Sequence, residues 1–92
     1  MDNLYIVIPA YNEQENIRDI IEQWYPVVEK TGKKSRLLII NDGSKDNTYE
    51  IMQEYAQSRP QFIPLTKNNG GHGAAVLYGY RYAIPKGADF IF

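Results

Sequence analysis

The sequence predicts an α/β fold with three layers: a parallel sheet of four strands, covered by three helices. Two observations predict it. Four short apolar runs, Leu4–Ile8, Arg36–Ile40, Gln61–Leu65 and Asp89–Phe92, alternate with three segments of helical periodicity. The first, second and fourth runs are also near-continuous in Ile, Leu, Val and Phe, as strands covered on both faces are. Strands joined through helices pair in parallel with right-handed crossovers.

Taken in order, the first run should end at Pro9, which stops the strand. A helix is expected from Gln14 to Lys30, with Ile17, Ile20, Ile21, Trp24 and Val28 forming one stripe. Glu13 and Glu15 at its start and Lys30 at its end suit the helix dipole. Pro26 should kink or shorten it, and Thr31-Gly32 should close it. After the second run, a helix from Asp46 to Ser58 should bury Ile51, Met52 and Tyr55, with Ser44 or Asp46 as its N-cap. The third run contains Pro64 and reads as an edge strand or an irregular strand, because proline donates no ladder hydrogen bond. The third helix, His72 to Ile84, carries Gly71, Ala75, Gly79 and Ala83 every four residues. Such a row lets a helix approach a sheet or another helix closely, with Tyr78 and Tyr82 on the other side.

Ninety-two residues make one small domain. A net charge of −1 without a basic run argues against a nucleic-acid partner. The absence of cysteine removes disulfides and thiolate metal sites, and favours a reducing compartment. No apolar run approaches the ~20 residues of a membrane helix, and the first residues do not read as a signal peptide.

In a parallel sheet, the loops that follow the strands gather at one edge, where ligands bind. The first is Pro9-Ala10-Tyr11-Asn12-Glu13. Tyr11 offers a flat face for a base or sugar, and Glu13 an acceptor; the plainer reading has Asn12 capping the helix. The second is Asn41-Asp42-Gly43-Ser44-Lys45-Asp46. There Asp42 could accept hydrogen bonds from a base or ribose, and Gly43 permits close approach; a capped turn is the alternative. The third, Lys67-Asn68-Asn69-Gly70-Gly71-His72-Gly73, exposes backbone N–H groups that favour phosphate. No zinc cluster, Walker sequence or Gly-x-Ser-x-Gly nucleophile elbow occurs. The third loop follows the wrong strand for a dinucleotide fingerprint. With one carboxylate per loop, a metal site in this chain is not expected.

Together, Ile6 to Glu13, Asn41 to Thr48 and Asn69 to Ala75 resemble the family 2 glycosyltransferases, in order and with suitable spacing. The glycine-rich third segment looks most like the branch that transfers sugars to polyprenyl or dolichyl phosphates. The resemblance implies the Rossmann-like N-terminal half of a GT-A fold. It also implies inverting transfer from a nucleotide-diphosphate sugar, and a divalent cation (Mg or Mn) in the full-length enzyme. Pro9, Tyr11, Glu13 and Asp42 would hold the nucleoside. Ala10, Asn12, Gly43, Ser44, Lys67, Asn69, Gly70 and Gly71 complete the expected nucleotide-sugar surface. Asn41 stands where the family usually has the first of two aspartates. The family's Asp-x-Asp metal motif follows the fourth strand, so catalytic and metal-binding residues are expected beyond residue 92. The fragment alone is then expected to be inactive and to bind no cation. The acceptor would be a polyprenyl phosphate or a glycan. The location would be the cytoplasm, or the cytoplasmic face of a membrane. Self-association through the open sheet edge near 89–92 is a further expectation. A non-catalytic α/β nucleotide-binding or interaction module is the alternative.

Overall fold

The computed structural model describes residues 3–88 and 90–91. The elements run β1 (Leu4–Ala10), α1 (Ile17–Thr31), β2 (Arg36–Asp42), α2 (Thr48–Ala56), β3 (Phe62–Lys67) and α3 (His72–Ala83). A short 3-10 turn (Ile84–Lys86) and β4 (Phe90–Ile91) follow. The sheet order is β3-β2-β1-β4, with all pairings parallel. Three strands of six or seven residues form its body. Where a fourth comparable strand was expected, only a two-residue ladder pairs with Leu4 and Tyr5. Asp89 and Phe92, the ends of that expected strand, lie outside the described residues.

The alternation of β2 explains its unbroken apolar run. Leu37 and Ile39 face the cluster that contains Ile17, Ile21 and Val28 of α1 and Ile51 and Met52 of α2. Leu38 and Ile40 face the opposite cluster, with Ala75 and Ala83 of α3. All four strand residues are fully buried. As expected, β3 with Pro64 is an edge strand.

The small-residue row of α3 has a clear packing role. A Cβ on Gly79 would run into Val7 and would lie 2.9 Å from Ile40 Cδ1. Only glycine lets the helix axis sit this close to β1 and β2.

Several boundaries differ from the sequence reading. Pro9 does not end β1, which continues to Ala10 with Pro9 opposite Ile40. Pro26 lies inside α1, which neither stops nor shortens there. Both Pro26 and Glu22, whose carbonyl loses its helical partner, are exposed, so water can satisfy that group. Tyr25 joins the core, and its hydroxyl accepts from Gln61 N–H at 3.2 Å, while Trp24 is only half-buried. The second helix is shorter than expected, and Tyr55 is half-buried, with Arg59 stacked 4.6 Å over its ring.

Candidate functional site

Two successive crossovers, through α1 and α2, carry the chain from β1 to β2 to β3 along one face. The next, through α3 on the other face, returns it to the far side of β1. The strand order reverses at β1, and ligands of open α/β sheets bind in the crevice at such a point, beyond the carboxyl ends of the strands. All three polar loops lie at that edge.

The first two loops are fastened together by hydrogen bonds. Asn12 N–H donates to Ser44 Oγ at 2.9 Å, and Asn12 Oδ1 accepts from Lys45 N–H at 2.9 Å. Glu13 N–H donates to Thr48 Oγ1 at 2.9 Å, and Gln14 N–H to Asp46 Oδ2 at 3.3 Å. Gln14 Oε1 accepts from Asn47 N–H at 3.0 Å. Asn12 therefore does not cap α1, as the plainer reading had it. It bridges to the neighbouring loop, and it does so from a left-handed conformation with φ of 52°. Asp46, not Ser44, serves the start of α2, where its Oδ1 accepts from Thr48 N–H at 3.0 Å. Burial alone would push the Asp46 carboxyl up; donors from Thr48 and Gln14 outweigh it and hold the carboxyl below its ordinary value.

Asp42 ends β2 and is buried, 1 % exposed. Its carboxylate organises the third loop. Oδ1 accepts from Lys67 Nζ at 3.1 Å and from Gly70 N–H at 2.9 Å; Oδ2 accepts from Gly71 N–H at 2.8 Å. Asn69 Nδ2 donates to the Asp42 carbonyl at 3.1 Å. Burial raises the carboxyl's pKa, but the Lys67 ammonium and the two glycine amides more than offset this, so it lies below the ordinary range. The amides expected to cradle phosphate thus hold an internal carboxylate instead. Gly43 matters here for two reasons: its φ is +67°, and a Cβ would lie 2.6 Å from Asn69 N.

Asn41 is buried as well. Its Nδ2 donates to Thr66 Oγ1 at 3.0 Å, and its Oδ1 accepts from Ser44 N–H at 3.2 Å. It joins β2, β3 and the second loop, using a donor that an aspartate lacks. Of the remaining expected residues, Pro9 and Tyr11 are half-buried at the first loop, and Ala10 is buried beneath it. The braces Gln14, Lys45, Asp46 and Thr48 were not among the expected site residues. A capping pattern marks Asp46 in the sequence, but nothing local marks the cross-loop partners.

No group of three His, Cys, Asp or Glu converges among the described residues. The Asp42 and Asp46 oxygens already accept from ammonium, amide and hydroxyl donors. These residues do not fit the divalent cation that the resemblance implies.

The profile of glycosyl transferase family 2 matches residues 5–86, nearly the whole chain. The chain belongs to that family. Its relatives include an undecaprenyl-phosphate 4-deoxy-4-formamido-L-arabinose transferase of Edwardsiella ictaluri, 32% identical over 80 residues. The match covers 84% of this chain and 24% of that protein. The transferase of the same description from Pectobacterium atrosepticum is 32% identical over 84 residues, covering 89% and 26%. A dolichyl-phosphate beta-glucosyltransferase of Trichomonas vaginalis is 38% identical over 79 residues, covering 79% and 23%. This family 2 domain therefore spans about a quarter of the length of the curated relatives it matches.

One prediction belongs to this geometry. Ser44→Ala removes the acceptor of Asn12 N–H, a loss of about 1 kcal/mol. Amide exchange at Asn12 should accelerate several-fold while the β2 core amides keep their protection.

Proposed function

We propose that this domain is the nucleotide-sugar-binding part of an inverting glycosyltransferase with the N-terminal half of a GT-A fold. The donor is a nucleoside-diphosphate sugar and the acceptor a polyprenyl phosphate. One observation carries the placement of the donor: loops ending β1, β2 and β3, some 30 residues apart in sequence, are hydrogen-bonded into one surface. The acceptor class rests on the printed names of the relatives, each a transferase acting on a polyprenyl-type phosphate.

In this reading Tyr11 offers its ring to the base or sugar, beside Pro9, Ala10 and Glu13. The diphosphate engages the amides of Gly70 and Gly71 and the Lys67 ammonium, the groups that Asp42 holds together. Charge-assisted bonds to phosphate replace those to Asp42, whose carboxylate then turns to the nucleoside. Gly43, Ser44, Asn12 and Asn69 set the shape of the surface. No residue of the chain is assigned to the metal or to the general base. No described helix is long and apolar enough to cross a membrane. In this reading the whole enzyme works at the cytoplasmic face of a membrane that holds the lipid-linked acceptor.

Amide NMR titration with UDP and GDP tests the site. Saturable shifts should cluster at residues 9–13, 42–46 and 67–71 for at least one nucleotide. Shifts confined to other surfaces, or none with either nucleotide, would overturn the assignment.

A further inference from the structure

At the opposite edge of the sheet lies a second recess, of about 330 Å³. The seven residues of β1 separate it from the nucleotide loops by about 20 Å. Its walls include the starts of β1, β2 and β3 and the end of α3: Tyr5, Lys34, Arg36, Ile63, Tyr82 and Lys86, beside Asn3. We propose that this recess is a binding site for a phosphate or phosphate monoester, held by Arg36, Lys34, Lys86 and the Tyr5 hydroxyl.

Charge is the first argument. Three cationic side chains line the recess, and no carboxylate does so among the described residues, in a chain of net charge −1. Concentrating like charge is unfavourable unless an anion offsets it. Tyr5 is the second argument. Only 5 % of the residue is exposed, yet it lines the recess, and its hydroxyl makes no hydrogen bond to a described residue. No buried side-chain oxygen or nitrogen lacks a partner among the described residues, so this hydroxyl is reached by solvent at the recess, where a ligand oxygen can take the place of water. Burial raises its pKa, with Arg36 offsetting only part of that, so at neutral pH the phenol keeps its proton and can donate it.

Two of the three cations, Arg36 and Lys86, are placed rather than loose. Arg36 Nη1 donates to the Lys33 carbonyl at 2.7 Å and the Ser35 carbonyl at 2.9 Å, which leaves Nη2 with no partner among the described residues. Lys86 Nζ sits 4.7 Å over the Tyr82 ring. A guanidinium fork with two ammonium groups and a hydroxyl suits the several oxygens of a phosphoryl group. The recess exceeds a bare phosphate in size, and Ile63 and Tyr82 offer apolar surface to an organic substituent.

The test is an NMR titration of the whole chain with inorganic phosphate at constant ionic strength. Saturable shifts are expected at Tyr5, Lys34, Arg36 and Lys86, on a titration curve separate from any at residues 67–71, where the phosphates of the donor are proposed to bind. Tyr5→Phe removes only a hydroxyl without a protein partner, so its thermal midpoint should not fall. Its phosphate affinity should drop roughly tenfold or more, the worth of one hydrogen bond to a charged group. Lys86→Gln, on the exposed turn, should weaken binding about threefold, as a single partly solvated charge does. No saturable shift at Tyr5 and Arg36 would overturn the site, as would unchanged affinity in Tyr5→Phe. Sedimentation with phosphatidic acid vesicles distinguishes the sources. Binding that phosphate displaces points to a lipid headgroup; phosphate binding without vesicle binding points to a soluble ester.

Discussion

Asp42→Asn should release the glycine-rich loop. Asparagine keeps the size of the side chain but presents an NH2 group where one carboxylate oxygen stood. At least one of the Gly70 and Gly71 amides then faces a donor, and Lys67 loses its counter-charge. Exchange protection of these two amides should fall about tenfold or more, since each hydrogen bond to a charged group ends unmade. The core of β2, whose backbone ladders do not involve the carboxylate, should keep its protection.

The same contact sets an acid limit. The folded pKa of Asp42 lies below 3.8, its ordinary value. The unfolded chain therefore takes up the proton first as pH falls, and the stability that Asp42 contributes is present above about pH 4 and lost on descent through the folded pKa. Asp46 shifts in the same direction and adds to the loss. Urea denaturation at pH 7 and pH 3 should show a smaller acid-induced decrease for Asp42→Asn than for the wild type. Equal decreases would mean that Asp42 is not held by these donors in solution.

Gly79→Ala should destabilise the chain although alanine is the better helix former. The added carbon meets Val7 and Ile40 Cδ1, both within the packed sheet face. Overpacking of this kind costs about 1–3 kcal/mol, and the gain in helix propensity returns up to ~1 kcal/mol. Against two packed side chains the cost lies at the top of that range, so a net loss of about 2 kcal/mol lowers the thermal midpoint of a domain of this size by roughly 8–16 °C. Gly73 supplies the contrast within the same helix. Nothing lies within 4 Å of a Cβ built there, so Gly73→Ala should leave the midpoint unchanged or raise it. Thermal unfolding of the two variants side by side checks the pair, and a stable Gly79→Ala protein would contradict the close approach of α3.

The features legible in the sequence are those that a local pattern dictates. The run Leu37–Ile40 reads as a doubly covered strand because every residue must be apolar when both faces are packed. Gly79 reads as a close contact because a glycine inside a helix needs a reason. Pro64 reads as an edge because proline lacks a donor. Asn12 is different: the side-chain oxygen that would cap α1 accepts instead from Lys45 N–H, 33 residues away. Tyr25 lies on the helix period, four residues after Ile21 and three before Val28; it escaped the predicted stripe because the partner of its hydroxyl, Gln61 N–H, lies 36 residues away in sequence. Pro26 misled because the lost hydrogen bond falls on the wet side of α1. Asp42 was legible as a site residue, but not as the anchor of the glycine loop. That role exists only once β2 and β3 lie side by side, with Asp42 opposite Lys67.

The most direct test of the donor site is a crystal structure of this chain with bound UDP or GDP. The nucleotide should lie at the carboxyl ends of β1, β2 and β3, with its base or ribose near Tyr11. The Gly70 and Gly71 amides should have moved from Asp42 to its phosphates. A nucleotide bound elsewhere, or one bound there with the Asp42 hydrogen bonds to both glycines intact, would contradict it.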